Sequence, residues 1–248
     1  ESACYTGGFA VTISIEGGEE VAKRTFNPHI GVEGGLSVLG TSGIVEPMSQ
    51  QAILDTIQLE MNQAALRAGS PRRLILAPGN YGLDYLHERY PEFHAVPVVK
   101  TSNFIGDTLD MAAAARFEEV LLVGHVGKLV KVAGGIMNTH SHSADARMEV
   151  LASNALRVGA DGDTARDILN CNTTDDALDI LHEKGLLEPA MQEIMERIQF
   201  YLDHRSYEQI KLGAVVFNNV YGYLGKTRDA GELIQEIQKQ DEMLKLQM

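Results

Sequence analysis

The segment EEVLLVGHVGK, residues 118–128, joins a continuous apolar run to a glycine-bearing loop that carries a histidine and a lysine. An apolar run of this length, bounded by turn residues, is typical of a strand buried on both faces of a parallel sheet. Similar runs occur at residues 72–78, 94–100 and 211–219, and each ends in small or polar residues. We therefore predict parallel strands at these four places.

Helix-compatible segments separate these strands at residues 81–90, 104–117 and, with interruptions, 144–205. An amphipathic helix at residues 49–69 precedes the first strand, with Ser49 as a candidate N-terminal cap. Strands that alternate with helices indicate a parallel sheet covered on both faces. The predicted fold class is therefore α/β, with a doubly wound, mostly parallel sheet.

The domain organisation follows from this alternation. We predict a remainder of an α+β domain at residues 1–69, the doubly wound α/β domain at 70–227 and a C-terminal helix at 228–248. In the first of these, residues 9–17 and 19–26 read as a hairpin about a Gly-Gly turn. Because the chain starts without methionine and runs straight into strand-like sequence, we expect this α+β domain to be truncated.

Composition and charge exclude several classes of function. The 248 residues carry a formal net charge of −13, which argues against nucleic acid as a partner because phosphate contacts need clustered Lys and Arg. No apolar run is long enough for a membrane span and no secretory leader opens the chain, so we expect a cytoplasmic protein without a membrane partner. Cys4 and Cys171 are too few for a disulfide framework or a zinc site.

The charge is unevenly distributed. Between Gly124 and Arg147 lie Lys128, Lys131 and three of the eight histidines, but a single acid, Asp145. A locally basic segment in an acidic protein suits a small anionic ligand. A solvated face with a chance excess of cations explains the same composition, and both readings stay open.

The loops after the predicted strands are where an open parallel sheet binds ligands. These loops are Pro78–Gly82, Thr101–Asn103, Gly124–Lys128 and Asn218-Asn219. No GxGxxG sequence follows any strand, so the dinucleotide-binding fingerprint is absent. The stretch GLSVLGTS, residues 35–42, resembles a phosphate-binding loop but has threonine where the lysine belongs, which argues against nucleotide hydrolysis.

A second feature is GGIMNTHSHSADARMEV, residues 134–150. His140, His142 and Asp145 could supply three metal ligands. Alternatively, Ser143 caps a helix and Asp145 lies in its first turn, where the helix dipole favours an acid. A pocket for a ligand without a metal is the third interpretation, and the residues alone leave all three open.

Several blocks together resemble one known family. They are TFNPHIGVEGGLSVLGTSGIVEPMS (25–49), APGNYG (77–82), KTSNFIGD (100–107) and LLVGHVGKLVKVAGGIMNTHSHSADARME (121–149). In this order they resemble the cobalt-precorrin-5B C(1)-methyltransferase family, or CbiD family, of anaerobic cobalamin biosynthesis. Members usually begin with a further segment bearing a GYTTG-like signature. Nothing in this sequence matches that signature, and its absence supports the expected truncation.

The resemblance implies a methyl transfer from S-adenosyl-L-methionine to carbon 1 of cobalt-precorrin-5B, giving cobalt-precorrin-6A. The fold it implies differs from that of the usual corrin-ring methyltransferases. Cobalt enters only as part of the substrate, an anionic corrinoid that is rich in carboxylates, so we assign no protein-bound metal and expect cationic substrate-binding residues.

That chemistry assigns candidate roles to residues of the loops and of the basic segment. For proton transfer the candidates are His125 and Asp145. For substrate binding they are Lys128, Lys131, His140, His142 and Arg147. For binding S-adenosyl-L-methionine they are Gly79, Asn80, Asn103 and Gly124, where the backbone can approach a ligand closely.

Two other functions stay open at this point. One is a metal-dependent hydrolase that uses His140, His142 and Asp145. The other is a non-catalytic tetrapyrrole-binding protein. The apolar face predicted for a helix at 186–204 fits either the core or an interface, so the sequence leaves a homo-oligomer open as well.

Overall fold

The structure, a computed structural model, describes residues 14–25 and 49–247, together with positions 7, 10, 12, 32 and 34–36. The chain divides into two compact units, Glu1–Ala52 and Ile53–Met248. Most of the glycine-rich segment at residues 31–43 lies outside the described residues, and so do residues 37–42 of the stretch that resembles a phosphate-binding loop.

The smaller unit contains a short helix where the sequence predicted the second strand of a hairpin. Helix α1 spans Gly18–Ala22, and Gly17 before it has a φ of 69°. The predicted strand at 19–26 is therefore wrong, and the described residues of 9–17 contain no strand. A left-handed glycine serves a helix start as well as a hairpin turn, and Glu19 and Glu20 favour a helix because they lie at its positive end.

The larger unit is built on a five-stranded sheet. Its strands are β1 (Arg73–Ala77), β2 (Val98–Lys100), β3 (Glu119–His125), β4 (Lys211–Asn218) and β5 (Gly222–Lys226). Their spatial order is β2-β1-β3-β4-β5, with the first four strands parallel and β5 antiparallel to β4. The predicted mostly parallel α/β sheet is confirmed.

Nine further helices of the described residues connect and cover these strands. They are α2 (Gln50–Arg67), α3 (Asn80–Arg89), α4 (Ile105–Ala114), α5 (Val126–Val132), α6 (Arg147–Arg157), α7 (Gly162–Leu169), α8 (Thr174–Glu183), α9 (Leu187–Ser206) and α10 (Ala230–Gln247). None of the helices in the described residues combines the length and the apolar character needed to cross a bilayer.

Alternate residues of each central strand bury against opposite layers. In β1, Leu74 and Leu76 pack into a core formed with α2, α4, α5, α6 and α9, whereas Ile75 and Ala77 pack against α3 and α10. All five residues of this strand are buried. The apolar run in the sequence is continuous because both faces of the strand are covered, as predicted.

Four elements of the larger unit differ from the prediction. Strand β5 was not predicted, because GYLGK is too short and too glycine-rich to carry a strand pattern. Helix α5 was read as a loop, and β2 is confined to Val98–Lys100 of the predicted 94–100 because turns occupy the residues before Pro97. Helix α6 starts at Arg147, so Ser143 is not its cap and Asp145 lies outside its first turn.

The contact between β4 and the start of α10 offers a test of this packing. A Cβ added to Gly213 would lie 2.6 Å from Cα and 2.7 Å from N of Ala230, and backbone atoms cannot rotate away. We expect Gly213→Ala to lower the free energy of unfolding by about 2 kcal/mol or more. Gly162→Ala is the matched control, because its Cβ would meet only the end of the Arg166 side chain, at 3.7 Å. Equal denaturation midpoints for the two variants would contradict the packing.

Candidate functional site

The sheet reverses its winding between β1 and β3. The helix after β1, α3, packs on one face with Leu86, and the helix after β3, α5, packs on the other with Leu129 and Val130. In a doubly wound sheet, this divergence opens a crevice beyond the carboxyl ends of the two strands. The loops that begin at Gly79 and Gly124 border that crevice.

Gly79 gives the first loop a backbone that other residues rarely adopt. Its φ of 93° and ψ of −174° fall in a region essentially restricted to glycine, and α3 begins directly after it without a side-chain cap. Asn80, the first residue of α3, is exposed. The first amide groups of α3 therefore have no side-chain acceptor at the cap position, which suits the approach of a polar or anionic group.

Two glycines allow the elements around the crevice to approach closely. A Cβ on Gly82 of α3 would lie 2.7 Å from the carbonyl oxygen of Val123 in β3. A Cβ on Gly124 would lie 3.0 Å from Leu129 and 3.2 Å from the Pro78 ring. Gly124 is buried beneath the first loop, so it shapes the crevice by letting β3 and the turn after β1 touch.

His125 ends β3 and caps α5. Its Nδ1 accepts a hydrogen bond from the backbone N–H of Gly127 at 3.1 Å. Burial lowers the pKa of His125, and the carboxylate of Asp175 opposes that shift. The ring is therefore neutral at neutral pH, and because Nδ1 accepts, Nε2 carries the hydrogen and can donate it.

Lys128 projects from α5 toward the first loop. Its ammonium donates to the carbonyl oxygen of Ser102 at 3.4 Å and lies 3.5 Å from the position that a Cβ on Gly79 would occupy. Burial, together with the charge of Lys131, lowers the pKa of Lys128. Within the described residues it forms no ion pair, so this half-buried cation at the crevice has no protein carboxylate to neutralise it.

The loop after β2 lies beside these two. Thr101 is fully buried and its N–H donates to the carbonyl oxygen of Ala77, while Ser102 has a φ of 51°. The backbone carbonyl of Asn103 accepts from the N–H of Thr139 at 2.8 Å. Asn103 thus connects the crevice to the segment at residues 138–145, which we call the histidine loop.

Lys131 holds the histidine loop from beneath. Its side chain is buried, and its ammonium donates to the carbonyl oxygens of Thr139, at 3.1 Å, and Ala144, at 2.7 Å. Burial lowers its pKa, while Asp145, whose carboxylate lies 3.8 Å away, opposes the shift. With these partners, Lys131 is placed to fix the loop rather than to reach a ligand.

Both carboxylate oxygens of Asp145 bind Arg147. The guanidinium donates two hydrogen bonds to the carboxylate, at 2.7 and 3.0 Å. These bonds hold the pKa of Asp145 below its ordinary value and raise that of Arg147. A carboxylate held in this way is a weak base, so its geometry serves to orient Arg147.

His140 and His142 are exposed at the tip of the histidine loop, with ring centroids 4.9 Å apart. The N–H of His142 donates to Nδ1 of His140 at 3.1 Å. No group of three His, Cys, Asp or Glu side chains in the described part of the chain could hold a metal ion. His140, His142 and Asp145 therefore do not form the three-ligand cluster that a metal-dependent hydrolase would need.

Two residues near the carboxyl end of β4, Asn218 of that strand and Asp175 of α8, were not predicted as site residues. Asn218 is buried and donates to the carboxylate of Asp175 at 2.7 Å, which places that acid beside the strand pair that carries His125. Asn218 was identifiable from its position after the fourth apolar run. Asp175 was not, because it belongs to the first turn of α8, whose place over the sheet depends on tertiary packing.

The pKa of His125 leads to a stability prediction. A histidine whose pKa is lower in the folded state than the ordinary 6.5 contributes stability above pH 6.5 that is lost as the pH falls toward the folded pKa. His125→Asn keeps a capping acceptor for Gly127 and removes this titration. We expect the wild type to lose more unfolding free energy than the variant between pH 7.5 and 5, measured with denaturant. Equal losses would contradict the burial of a neutral imidazole.

Comparison with known sequences identifies the family of the chain. The model of the CbiD C-terminal domain matches residues 138–228, and the CbiD model matches residues 1–47. No solved structure gives a significant match.

Three curated relatives are each called cobalt-precorrin-5B C(1)-methyltransferase. The protein from Ruminiclostridium cellulolyticum is 41% identical over 98% of this chain and 64% of its own length. Those from Alkaliphilus metalliredigens and Methanocaldococcus jannaschii are 40% and 41% identical over 92% and 84% of this chain, and 59% and 56% of their own. The chain thus spans about three fifths of the length of these relatives. With both CbiD domains matched and this similarity along most of its length, the chain belongs to the CbiD family.

Proposed function

We propose that this chain takes part in the methylation of carbon 1 of cobalt-precorrin-5B by S-adenosyl-L-methionine in cobalamin biosynthesis. The observation that carries the proposal is the 41% identity to the R. cellulolyticum relative. The alignment extends over 247 residues and 98% of this chain, so it includes the loops at the crevice. The name of that relative states both the substrate and the ring carbon that is methylated.

The crevice between β1 and β3 is the proposed place for the methyl donor. Gly79 has no side chain to shield its backbone, and the first turn of α3 behind it lacks a side-chain cap. Asn80 and Asn103 stand at the entrances of the first and second loops, while Gly124 shapes the floor. These features fit a ligand with a carboxylate and a flat base, because uncapped helix amides favour an anion and glycine permits close approach.

When bound, S-adenosyl-L-methionine supplies an electrophilic methyl group on its sulfonium. What the chain itself contributes is position, because transfer needs the ring carbon and the methyl group in line. The half-buried ammonium of Lys128 and the guanidinium of Arg147 are suited to peripheral carboxylates of the substrate. Lys131 holds the histidine loop, which leads into α6 and Arg147, and Asp145 sets the plane of the Arg147 guanidinium.

His125 contributes a hydrogen-bond donor in this proposal. His125 and Asp145 are the candidates for proton transfer that the sequence offers. In the structure, Nδ1 of His125 accepts a hydrogen bond from the Gly127 N–H, and the Asp145 carboxylate accepts hydrogen bonds from Arg147. The Nε2–H of a neutral His125 is suited to a carboxylate of the bound substrate. On this account no strongly basic side chain is needed, because the electron-rich macrocycle supplies the nucleophile.

The alternatives receive less support. A resident metal needs more than two histidines, and the described residues offer no third ligand. A non-catalytic tetrapyrrole carrier would not need the glycine-shaped crevice beside Lys128. The cytoplasmic location, a homo-oligomer and the absence of nucleic-acid or membrane partners stay predictions from the sequence.

The donor crevice is tested by Gly79→Ala. A Cβ would strain the backbone at φ 93° and point toward Lys128, so we expect the affinity for S-adenosyl-L-methionine, measured by calorimetry, to fall about tenfold or more. Gly159→Ala is the matched control, since Gly159 has a φ of 101° and open space around its Cβ position. Equal affinities in the two variants would place the donor elsewhere.

The substrate cation is tested by Lys128→Gln. Loss of a charge-assisted hydrogen bond should weaken binding of cobalt-precorrin-5B by about tenfold or more, with little change in affinity for the methyl donor. The control is Lys184→Gln, which removes an exposed lysine at the end of α8. If the chain, supplied anaerobically with both substrates, transfers no methyl group and binds neither, the proposed function fails.

A further inference from the structure

The histidine loop, residues 138–145, is held by contacts with the start of α4 and with α5. Phe104 and Asn138 form an isolated bridge, and the N–H of Gly106 donates to the carbonyl oxygen of Met137. Farther along, the buried ammonium of Lys131 binds the carbonyl oxygens of Thr139 and Ala144. A loop held at so many points presents its tip residues in a fixed place.

Two histidines at that tip differ in what their rings can do. Nδ1 of His140 accepts the N–H of His142, so a neutral His140 carries its hydrogen on Nε2 and has no free lone pair for a metal. The ring nitrogens of His142 accept or donate no hydrogen bond within the described part of the chain. Its ring packs edge-on against His140, which orients it while leaving the nitrogens exposed.

The number of protein ligands that a metal needs distinguishes a free ion from a metal already held in a tetrapyrrole. A free ion needs three or four protein ligands, and the described residues provide no such group. A metal held in a tetrapyrrole already has four ring nitrogens around it, so only an axial position remains for the protein. One imidazole with a free lone pair is sufficient there, and imidazole is a good ligand for first-row transition metals of this type.

The surroundings of His142 suit a substrate of this class. Arg147, the first residue of α6, follows this loop and binds its Asp145, and Lys128 donates to the carbonyl oxygen of Ser102 in the neighbouring loop. These cations are suited to bind the peripheral carboxylates of the substrate, while His142 is suited to bind the metal at the centre of the ring. A macrocycle whose edge meets the crevice would extend over the adjacent histidine loop, which is linked to it through Asn103 and Thr139.

We propose that His142 binds the cobalt of the substrate as an axial ligand. The lone pair of one ring nitrogen forms the bond to cobalt, and an axial water leaves, with no change in oxidation state. This inference rests on the proposed function, because it needs a cobalt tetrapyrrole as the ligand. It assigns His142 the task of fixing which face of the ring meets the protein, and it gives His140 the task of orienting His142.

The experiment uses the Co(II) form of cobyrinic acid, a corrinoid with free carboxylate side chains, and records electron paramagnetic resonance under anaerobic conditions. The wild type should give superhyperfine splitting from one nitrogen nucleus, and the pattern should change when the protein carries ¹⁵N-histidine. His142→Gln should remove the splitting, whereas the matched variant His140→Gln should retain it.

Separate results identify which claim fails. If cobyrinic acid binds the wild type but the spectrum is that of a water-ligated cobalt, the axial ligand is overturned and the proposed function stands. The same holds if the splitting survives in His142→Gln. If cobyrinic acid does not bind the wild type at millimolar concentration, while circular dichroism indicates a folded protein, the corrinoid function and the axial ligand both fail.

Discussion

The opposite departure of α3 and α5 from adjacent strands is the constraint on which the rest of the structure depends. Both helices start within three residues of a strand end, and both pack tightly because glycine stands at the points of closest approach, Gly82 and Gly124. A larger side chain at Gly82 would collide with the carbonyl of Val123. The divergence leaves a crevice, and the loops at its rim carry Gly79, His125 and Lys128.

The electrostatics of the rim follow from how its charges are shared. Lys131 and Asp145 are occupied by protein groups, and they position the histidine loop and Arg147. Lys128, in contrast, has only a carbonyl partner in the described residues. Within the described residues, a protein with a formal net charge of −13 therefore keeps one cation, Lys128, without a carboxylate partner at this edge of its sheet, and an anionic substrate would be attracted there.

Much of the architecture was predictable from the sequence because it depends on short apolar runs. The four parallel strands and the helices between them have patterns that burial on both faces imposes, as in Leu74–Ala77. The loops at their carboxyl ends could then be located by rule. Strand β5 and helix α5 were missed because their stability comes from tertiary contacts: Gly225 packs against Met195, and Val126 and Leu129 are buried beneath α9.

The roles of individual side chains were less predictable, because hydrogen-bond partners decide them. Sequence alone grouped Lys128 with Lys131 and His140 with His142. Burial separates the two lysines, and one N–H donor separates the two histidines. Likewise, the sequence predicts His125 and Asp145 for proton transfer, whereas their partners depend on the fold: Nδ1 of His125 accepts from Gly127 and the Asp145 carboxylate accepts from Arg147.

The proposed function requires the crevice between β1 and β3 to bind the methyl donor next to the corrinoid. A crystal structure of the chain with S-adenosylhomocysteine, the product left after methyl transfer, tests it most directly. We expect the ligand to contact the backbone at Gly79 and the first turn of α3, with its sulfur facing the Lys128 side of the crevice. A ligand seated away from the carboxyl ends of β1 and β3 would contradict it.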